Sequence, residues 1–263
     1  MKTYSNIITL EKNLRGVWSL DTIKGCKYGA KMNPNGCYDS CYAARMIKRS
    51  GIDFSKSVKR NFKSEWHLYK ILRQLKNIDM PFVRIGTNGD PSEDWEHTIR
   101  VCGRITKYSF FGKLIGYDFF KPIVIVTKHW KIIPDKLLKK LKNICINTSI
   151  SALDSDTQIK HRLKQYNRLK QYCNSVLRVN TCDFNIDNIE GEVLNKIQLE
   201  LLDNDKVLDT ILRFSKNHEL AQAKIINLDY TKFLSSNTYA SVYNKNTYFG
   251  MCDNCPDMCG INL

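Results

Sequence analysis

The chain of 263 residues has no run of eighteen apolar residues, which leaves no candidate for a helical membrane span. Its opening residues, MKTYSNIITLEKN, lack the apolar stretch of a signal peptide. The expectation is a protein that stays in a reducing cytoplasm, where structural disulfides are rare. No internal repeat and no low-complexity linker is visible, which favours one domain with a C-terminal appendage. Acidic residues are also short. The 26 Asp and Glu stand against 41 Lys and Arg, a formal charge of +15 that attracts polyanions, nucleic acid being the usual one. Part of that excess is compositional, because Lys, Asn and Ile are abundant throughout.

What the chain does have is cysteine, ten in all. In a reducing compartment the first explanation for so many is metal or cluster ligation. Cys26, Cys37 and Cys41 are spaced C-x10-C-x3-C around the turn-forming run Asn33-Pro34-Asn35-Gly36. YAARMIKR follows Cys41 and reads as a helix, so the third thiol stands where the positive dipole end favours a thiolate. Three thiolates on one loop can hold a metal or an iron–sulfur cluster while leaving a coordination position open. A second group, Cys252, Cys255 and Cys259, is spaced C-x2-C-x3-C and reads as an auxiliary iron–sulfur cluster or a structural zinc site with a fourth ligand from elsewhere. Cys102, Cys145, Cys173 and Cys182 are single and read as small buried hydrophobes.

Between the two groups, apolar strands alternate with polar-faced helices about six times. Strands are expected at 16–20, 82–86, 122–127, 144–151, 175–180 and 224–229, with Ser92 and Asp154 as helix caps and a long helical region over 192–216, breaking near 203–205. That periodicity argues for an α/β fold with a parallel sheet, either doubly wound or curled toward a barrel. Ligands in such folds gather beyond the carboxyl ends of the strands, where the first cysteine loop also falls. The expected division is a main domain over 1–235 and a cysteine-rich segment over 236–263.

The cysteine triad after the first strand, with its detail GC…NPNGC…CYAARM, resembles the radical S-adenosylmethionine superfamily, and most of all its phage-associated and clostridial branch. The common C-x3-C-x2-C spacing of that superfamily is longer here in both gaps. The resemblance implies a partial (β/α)6 barrel over roughly 16–230. It implies that Cys26, Cys37 and Cys41 bind three irons of a [4Fe-4S] cluster whose fourth iron chelates S-adenosylmethionine. Reductive cleavage, with electrons from a partner such as flavodoxin or ferredoxin, would then yield a 5′-deoxyadenosyl radical that abstracts a substrate hydrogen. Ser40 replaces the usual aromatic before the last cysteine, so Tyr42 or Tyr38 would contact adenine.

The same resemblance puts the loop Thr87-Asn88-Gly89-Asp90 where the methionine amino group is received, with Asp90 or Glu93 accepting from the ammonium. The reading of these residues alone, an ordinary strand-to-helix turn with a capping network, stays open. Ser149 and Ser151 are candidates for the ribose hydroxyls. Arg178, a charge in an apolar strand, is a candidate partner for the cofactor carboxylate or for an internal salt bridge to Asp90 or Glu93. His129 reads as a surface histidine. The basic runs 59–63 and 161–168, with Arg162, Lys164 and Arg168, mix cations and aromatics in a way that suits phosphate contact and base stacking, although a solvated helix face explains the second run as well. The competing reading from another class is a zinc-containing nucleic-acid-binding protein in which both cysteine groups are structural. A non-enzymatic iron–sulfur redox or sensor protein ranks below it.

Overall fold

The computed structural model describes residues 4–13, 16–32, 38, 41–48, 50–114, 121–215, 238–240 and 252–263. In chain order its strands are β1 (Glu11–Lys12), β2 (Trp18–Ser19), β3 (Ile23–Lys24), β4 (Val58–Lys59), β5 (Val83–Ile85), β6 (Ile123–Thr127), β7 (Ile144–Ser151), β8 (Asn174–Thr181), β9 (Val207–Ile211), β10 (Arg213–Ser215) and β11 (Thr238–Ala240). The helices are α1 (Lys27–Lys31), α2 (Tyr42–Lys48), α3 (Glu65–Lys76), α4 (Trp95–Leu114), α5 (Asp135–Leu138), α6 (Asp156–Leu169) and α7 (Ile189–Leu202).

A seven-stranded sheet in the order β1-β2-β5-β6-β7-β8-β9 forms the centre. Its strands are parallel from β2 onward, and only β1 is antiparallel. The protein is therefore mixed α/β with a mostly parallel sheet. The parallel strands succeed one another in chain order, so the sheet has no point at which the winding reverses.

The pleat of β7 and β8 sorts their side chains onto two faces. Thr148 and Ile150, in register with Leu177 and Val179, lie on the back face. Ile150, Leu177 and Val179 pack there with Tyr166 of α6 and Leu201 of α7. All five are buried, each apolar side chain contributing about 1.5–3 kcal/mol relative to exposure. The front face carries Cys145, Asn147, Ser149 and Ser151, in register with Asn174, Val176, Arg178 and Asn180. Its lower end, at the starts of the strands, is covered by residues 252–263. Asn147 Nδ2 donates to Cys259 O (2.9 Å), Asn174 Nδ2 donates to Gly260 O (3.0 Å), and Gly260 lies directly against Val176. Cys252 and Cys259 belong to the main hydrophobic core, so the segment expected as an appendage completes the sheet's packing.

Two expected elements take another form. The helical region expected over 192–216 is α7, a turn at Asp203-Asn204-Asp205, and then β9, the sixth parallel strand. The strand expected over 224–229 lies outside the described residues. The expected caps also shift by one or two residues. Asp90, not Ser92, caps the 3-10 turn Pro91–Asp94 ahead of α4, and Ser155, not Asp154, caps α6 through a full capping box with Gln158. In both cases the displaced residue has other partners: Ser92 Oγ donates to Asp90 and accepts from Trp130 N, and Asp154 pairs with Lys128 and Arg162.

Candidate functional site

The site lies beyond the carboxyl ends of β2, β5, β6 and β7. Its foundation is Asp21, two residues past β2 and 1% exposed. Asp21 accepts from the backbone N–H groups of Gly86 (2.9 Å), Thr87 (2.8 Å) and Asn88 (2.9 Å), so the loop after β5 is folded around one carboxylate. Burial pushes the Asp21 carboxyl up, and the three backbone donors oppose that shift. Sequence reasoning missed Asp21. The available signal was an acid inside the apolar stretch WSLDTI, which is costly to bury without donors.

The same loop is joined to the first cysteine. Gly25 N donates to Asn88 O (2.9 Å), and Gly25 and Gly89 form a parallel bridge. Gly25 has φ +86, and a Cβ there would stand 2.2 Å from Lys56 O. At Gly89 it would meet Ile23 O at 2.4 Å. Glycine at 89 lets the β5 loop approach residues 23–25 this closely, and glycine at 25 makes room for the chain at residues 54–56. Cys26 follows, its N–H donating to Phe54 O (2.8 Å), and it caps α1. Lys27 N donates to Ser57 Oγ (3.0 Å) and to Glu93 Oε1 (3.1 Å), and Ser57 Oγ also donates to Glu93 Oε1 (2.8 Å). Glu93 thus braces the residue after Cys26, and burial followed by the nearby Asp90 raises its carboxyl.

Cys41 immediately precedes α2, as expected from the helix-forming run behind it. Its N–H donates to Tyr38 O (3.0 Å). Cys26, Tyr38 and Cys41 pack on one cluster formed by Tyr4, Ala43 and Phe54. Burial pushes the Tyr4 phenol up, and the charges of Asp21 and Cys41 add to the effect. Both cysteines are partly exposed. Cys37 lies outside the described residues, as does the side chain of Tyr42, the first residue of α2.

The next wall is the end of β6. Asp90 is buried, with Oδ1 accepting from Ser92 N (2.9 Å), Ser92 Oγ (2.7 Å) and Thr127 Oγ1 (2.7 Å), and Oδ2 from Lys128 N (2.7 Å). It staples the β5 loop to β6, which is the capping network that the residues alone suggested. Lys128 Nζ reaches both carboxylate oxygens of Asp154 (3.1 and 3.2 Å), and Arg162 pairs with the same carboxylate. Burial alone would raise Asp154, but the Lys128 ammonium and the Arg162 guanidinium outweigh it and hold the carboxyl below its ordinary range. Arg162 is 1% exposed and sits 5.1 Å over the Trp130 ring, so it is a core ion, neither the candidate phosphate contact nor part of a solvated helix face.

Trp130 reaches back to the cysteine loop. A Cβ on Gly29 would meet Cys26 Sγ at 2.8 Å and Trp130 Cζ2 at 3.7 Å. His129, expected at the surface, is 1% exposed with φ +50, and its Nε2 lies 3.0 Å from Thr148 Oγ1. Burial first, then the charges of His161, Arg162 and Arg168, depress its imidazole to about 3, so it is neutral at ordinary pH.

On the front face, Asn180 Nδ2 donates to Ser149 Oγ (3.0 Å) and Asn180 Oδ1 accepts from Thr210 Oγ1 (2.9 Å), a polar ladder across β7, β8 and β9. Arg178 is the register partner of Ser149 on the same face. Neither Asp90 nor Glu93 forms an ion pair with Arg178, so the internal salt bridge expected as one alternative is not made. Ser151 is 1% exposed, and its Oγ has no partner among the described residues.

Cys252, Cys255 and Cys259 stand elsewhere, at the amino ends of β7 and β8. Burial, then Cys173 and Cys259, push the Cys145 thiol up to about 12, and burial pushes Cys173 to about 12. Among the described residues no group of three or more His, Cys, Asp or Glu is arranged to hold a metal ion. The triad of the first loop cannot be counted in that statement, since Cys37 is not described. Its donor chemistry suits a thiophilic metal or cluster, with Cys26 and Cys41 partly exposed on a shared cluster.

The two basic runs are divided between interior and surface, with Lys59, Lys63 and Lys164 exposed. Arg60, Phe62, Arg162 and Tyr166 are buried, and Arg168 bonds Ile133 O and Asp135. Of the second run's named cations only Lys164 is exposed. No helix among the described residues is long and apolar enough to cross a membrane. No family model, no curated protein and no solved structure matches the chain.

Proposed function

We propose that the chain is a radical S-adenosylmethionine enzyme whose Cys26, Cys37 and Cys41 hold a [4Fe-4S] cluster at the carboxyl ends of an open, barrel-like parallel sheet. The parallel strands in unbroken chain order, with α6 and α7 on the back face, support the barrel-like curl. When bound, the cluster and S-adenosylmethionine supply one-electron reductive cleavage and a carbon radical.

The observation that carries this reading is the junction of the cysteine loop with the β5 loop. Because the N–H groups of Gly86, Thr87 and Asn88 all point at Asp21, trans peptide geometry turns the carbonyls of Gly86 and Thr87 away from it. The loop next to Cys26 therefore presents acceptors, which suit an ammonium group. Those backbone carbonyls, more than Asp90, take the role of ammonium acceptor, since both oxygens of Asp90 already hold donors. Glu93 acts from behind, fixing Lys27 and hence Cys26. Ser149 and Arg178 on the front face offer a hydroxyl and a cation to the polar part of a ligand, and Trp130 shields the cysteine side from water. A cluster or zinc ion at Cys252, Cys255 and Cys259 would stand over the amino-terminal half of β7 and β8, away from the loops at the carboxyl ends, and would serve the fold rather than the substrate.

The test is anaerobic purification with iron and zinc quantitation, followed by incubation with dithionite and S-adenosylmethionine. Iron near four per chain, with 5′-deoxyadenosine formed by the parent and not by Cys37→Ala, is the expected result. Zinc without iron, and no cofactor cleavage, would overturn the reading and favour the zinc-containing nucleic-acid-binding protein.

A further inference from the structure

Away from this site, α3 carries an aromatic pair on its outer side, Trp66 exposed and Tyr69 partly buried. Trp66, in its first turn, is 61% exposed. It stacks on Tyr69 with centroids 5.3 Å apart and planes at 23°. Lys70 Nζ lies 5.5 Å from the Trp66 ring, and Arg73 lies 6.0 Å from the Tyr69 ring. Residues 66, 69, 70 and 73 form one stripe of the helix, opposite the buried stripe Leu68, Ile71, Leu72 and Leu75. The inward stripe, with Tyr69 partly buried against the edge of the core, explains how α3 is held, so the exposed Trp66 is not needed for packing.

The charge around the pair has one sign. Lys63, Lys70, Arg73 and Lys76 are exposed on or beside α3, and Lys107 is exposed on α4. The acid of the first turn, Glu65, is already engaged, since a hydrogen bond from Tyr108 and the charge of Arg104 hold its carboxyl below the ordinary range. An aromatic stack bordered by cations, on a chain of formal charge +15, matches a polyanion that also has flat apolar faces. A duplex offers phosphates but keeps its bases stacked inside, whereas an unpaired strand offers both.

We propose that the Trp66–Tyr69–Lys70–Arg73 stripe of α3, flanked by Lys107 of α4, binds single-stranded nucleic acid. One or two bases stack on the aromatic pair, and the phosphates follow the cations. The stripe begins at the site's edge of the sheet, because Arg60 N, just ahead of α3, donates to Thr22 O (2.8 Å) past the end of β2. A strand lying along α3 therefore passes from the outside of the molecule toward the cysteine loop. The surface does not depend on what that loop binds.

The experiment is fluorescence anisotropy with the full chain and a labelled oligothymidylate or oligouridylate of about twenty nucleotides, against a duplex of equal length, between about 50 and 200 mM salt. The expected result is single-strand binding about tenfold or more tighter than duplex binding, weakened about tenfold or more by Trp66→Ala with Tyr69→Ala, and largely kept by Trp66→Phe. Lys70→Gln with Arg73→Gln should lower the slope of log affinity against log salt by about one. Lys139→Gln with Lys140→Gln, an equal charge change at exposed positions just past α5, should change affinity by less than about twofold. Equal preference for deoxy and ribo strands, or a preference for either, fits the proposal. No binding at the lowest salt, equal binding of duplex, or unchanged affinity in the aromatic variants would overturn it. So would displacement of the oligonucleotide by phosphatidylserine vesicles with the same dependence on Trp66, which would make the stripe a membrane contact.

Discussion

The two cysteine groups look alike in sequence and have opposite settings in the structure. Cys26 and Cys41 are partly exposed, each held by backbone bonds at the start of a helix, at the carboxyl ends of the strands. Cys252 and Cys259 are buried in the main core at the amino ends, where Cys259 lends its carbonyl to Asn147 and its neighbours include Cys145. Spacing proposes a ligand set in both cases. Setting separates a loop whose fold is spent on presenting thiols from a segment whose thiols are spent on the fold.

The largest expected effect is on iron. Cys26→Ser or Cys41→Ser should abolish cluster iron and 5′-deoxyadenosine formation while moving the unfolding midpoint by less than about 1 kcal/mol, measured by anaerobic metal analysis and urea denaturation. If instead Cys259→Ser alone removed all the iron, the contrast would collapse. Next is the wall beside the loop. Asp154→Ala leaves Lys128 and the fully buried Arg162 without their carboxylate, at a cost of about 3–5 kcal/mol in urea unfolding. A cost below about 1 kcal/mol would mean that the pair does not brace the site.

Acid sensitivity should then trace to His129. Its folded pKa, about 3, lies below the unfolded value of 6.5, so the unfolded state takes up the proton first as pH falls. Stability present above pH 6.5 is lost across the window down to about 3, about 2 kcal/mol between pH 7 and 5. His129→Asn, which tolerates the positive φ, should flatten that slope, and an unchanged slope would assign the sensitivity elsewhere. The smallest effect sharpens the comparison from its other side. Cys259→Ser should cost about 1–2 kcal/mol and leave iron at the first loop intact. Alkylation at pH 8, read by mass spectrometry, should label Cys26 and Cys41 in the metal-free chain long before Cys102, Cys145 or Cys173, whose thiols burial pushes to about 12.

The strands were the most legible part of the chain. A continuous β-branched run gave β6 almost to the residue, as expected of a strand buried on both faces, and the run Ile144-Cys145-Ile146 gave β7 although its front face carries Asn147, Ser149 and Ser151. β9 was hidden because Val207-Leu208-Asp209-Thr210-Ile211 continues a helical pattern across a three-residue break, and only pairing with β8 decides between the two. The caps failed for a related reason. Asp90 and Ser92, or Asp154 and Ser155, are equally good caps locally, and the choice depends on residues distant in sequence, since Thr127 and Lys128 fix Asp90 while Lys128 and Arg162 draw Asp154 away. Arg162 itself reads as a surface cation until Asp154 is known to stand beneath it. Cys26 and Cys41 could be read from spacing and helix starts, whereas Asp21, whose carboxylate organises the β5 loop, carried no motif.

The cover that residues 252–263 place over the front face also sets an order of events during synthesis. Asn147 finds its carbonyl 112 residues later in the chain, and Asn174 finds its own 86 residues later. At a translation rate of about 5–20 residues per second, β7 and β8 wait for several seconds with both amides and the floor at Val176 uncovered. A nascent chain halted between β8 and Cys259 would thus expose that floor to whatever holds unfinished proteins, and release from such a holder would report the arrival of the last turn.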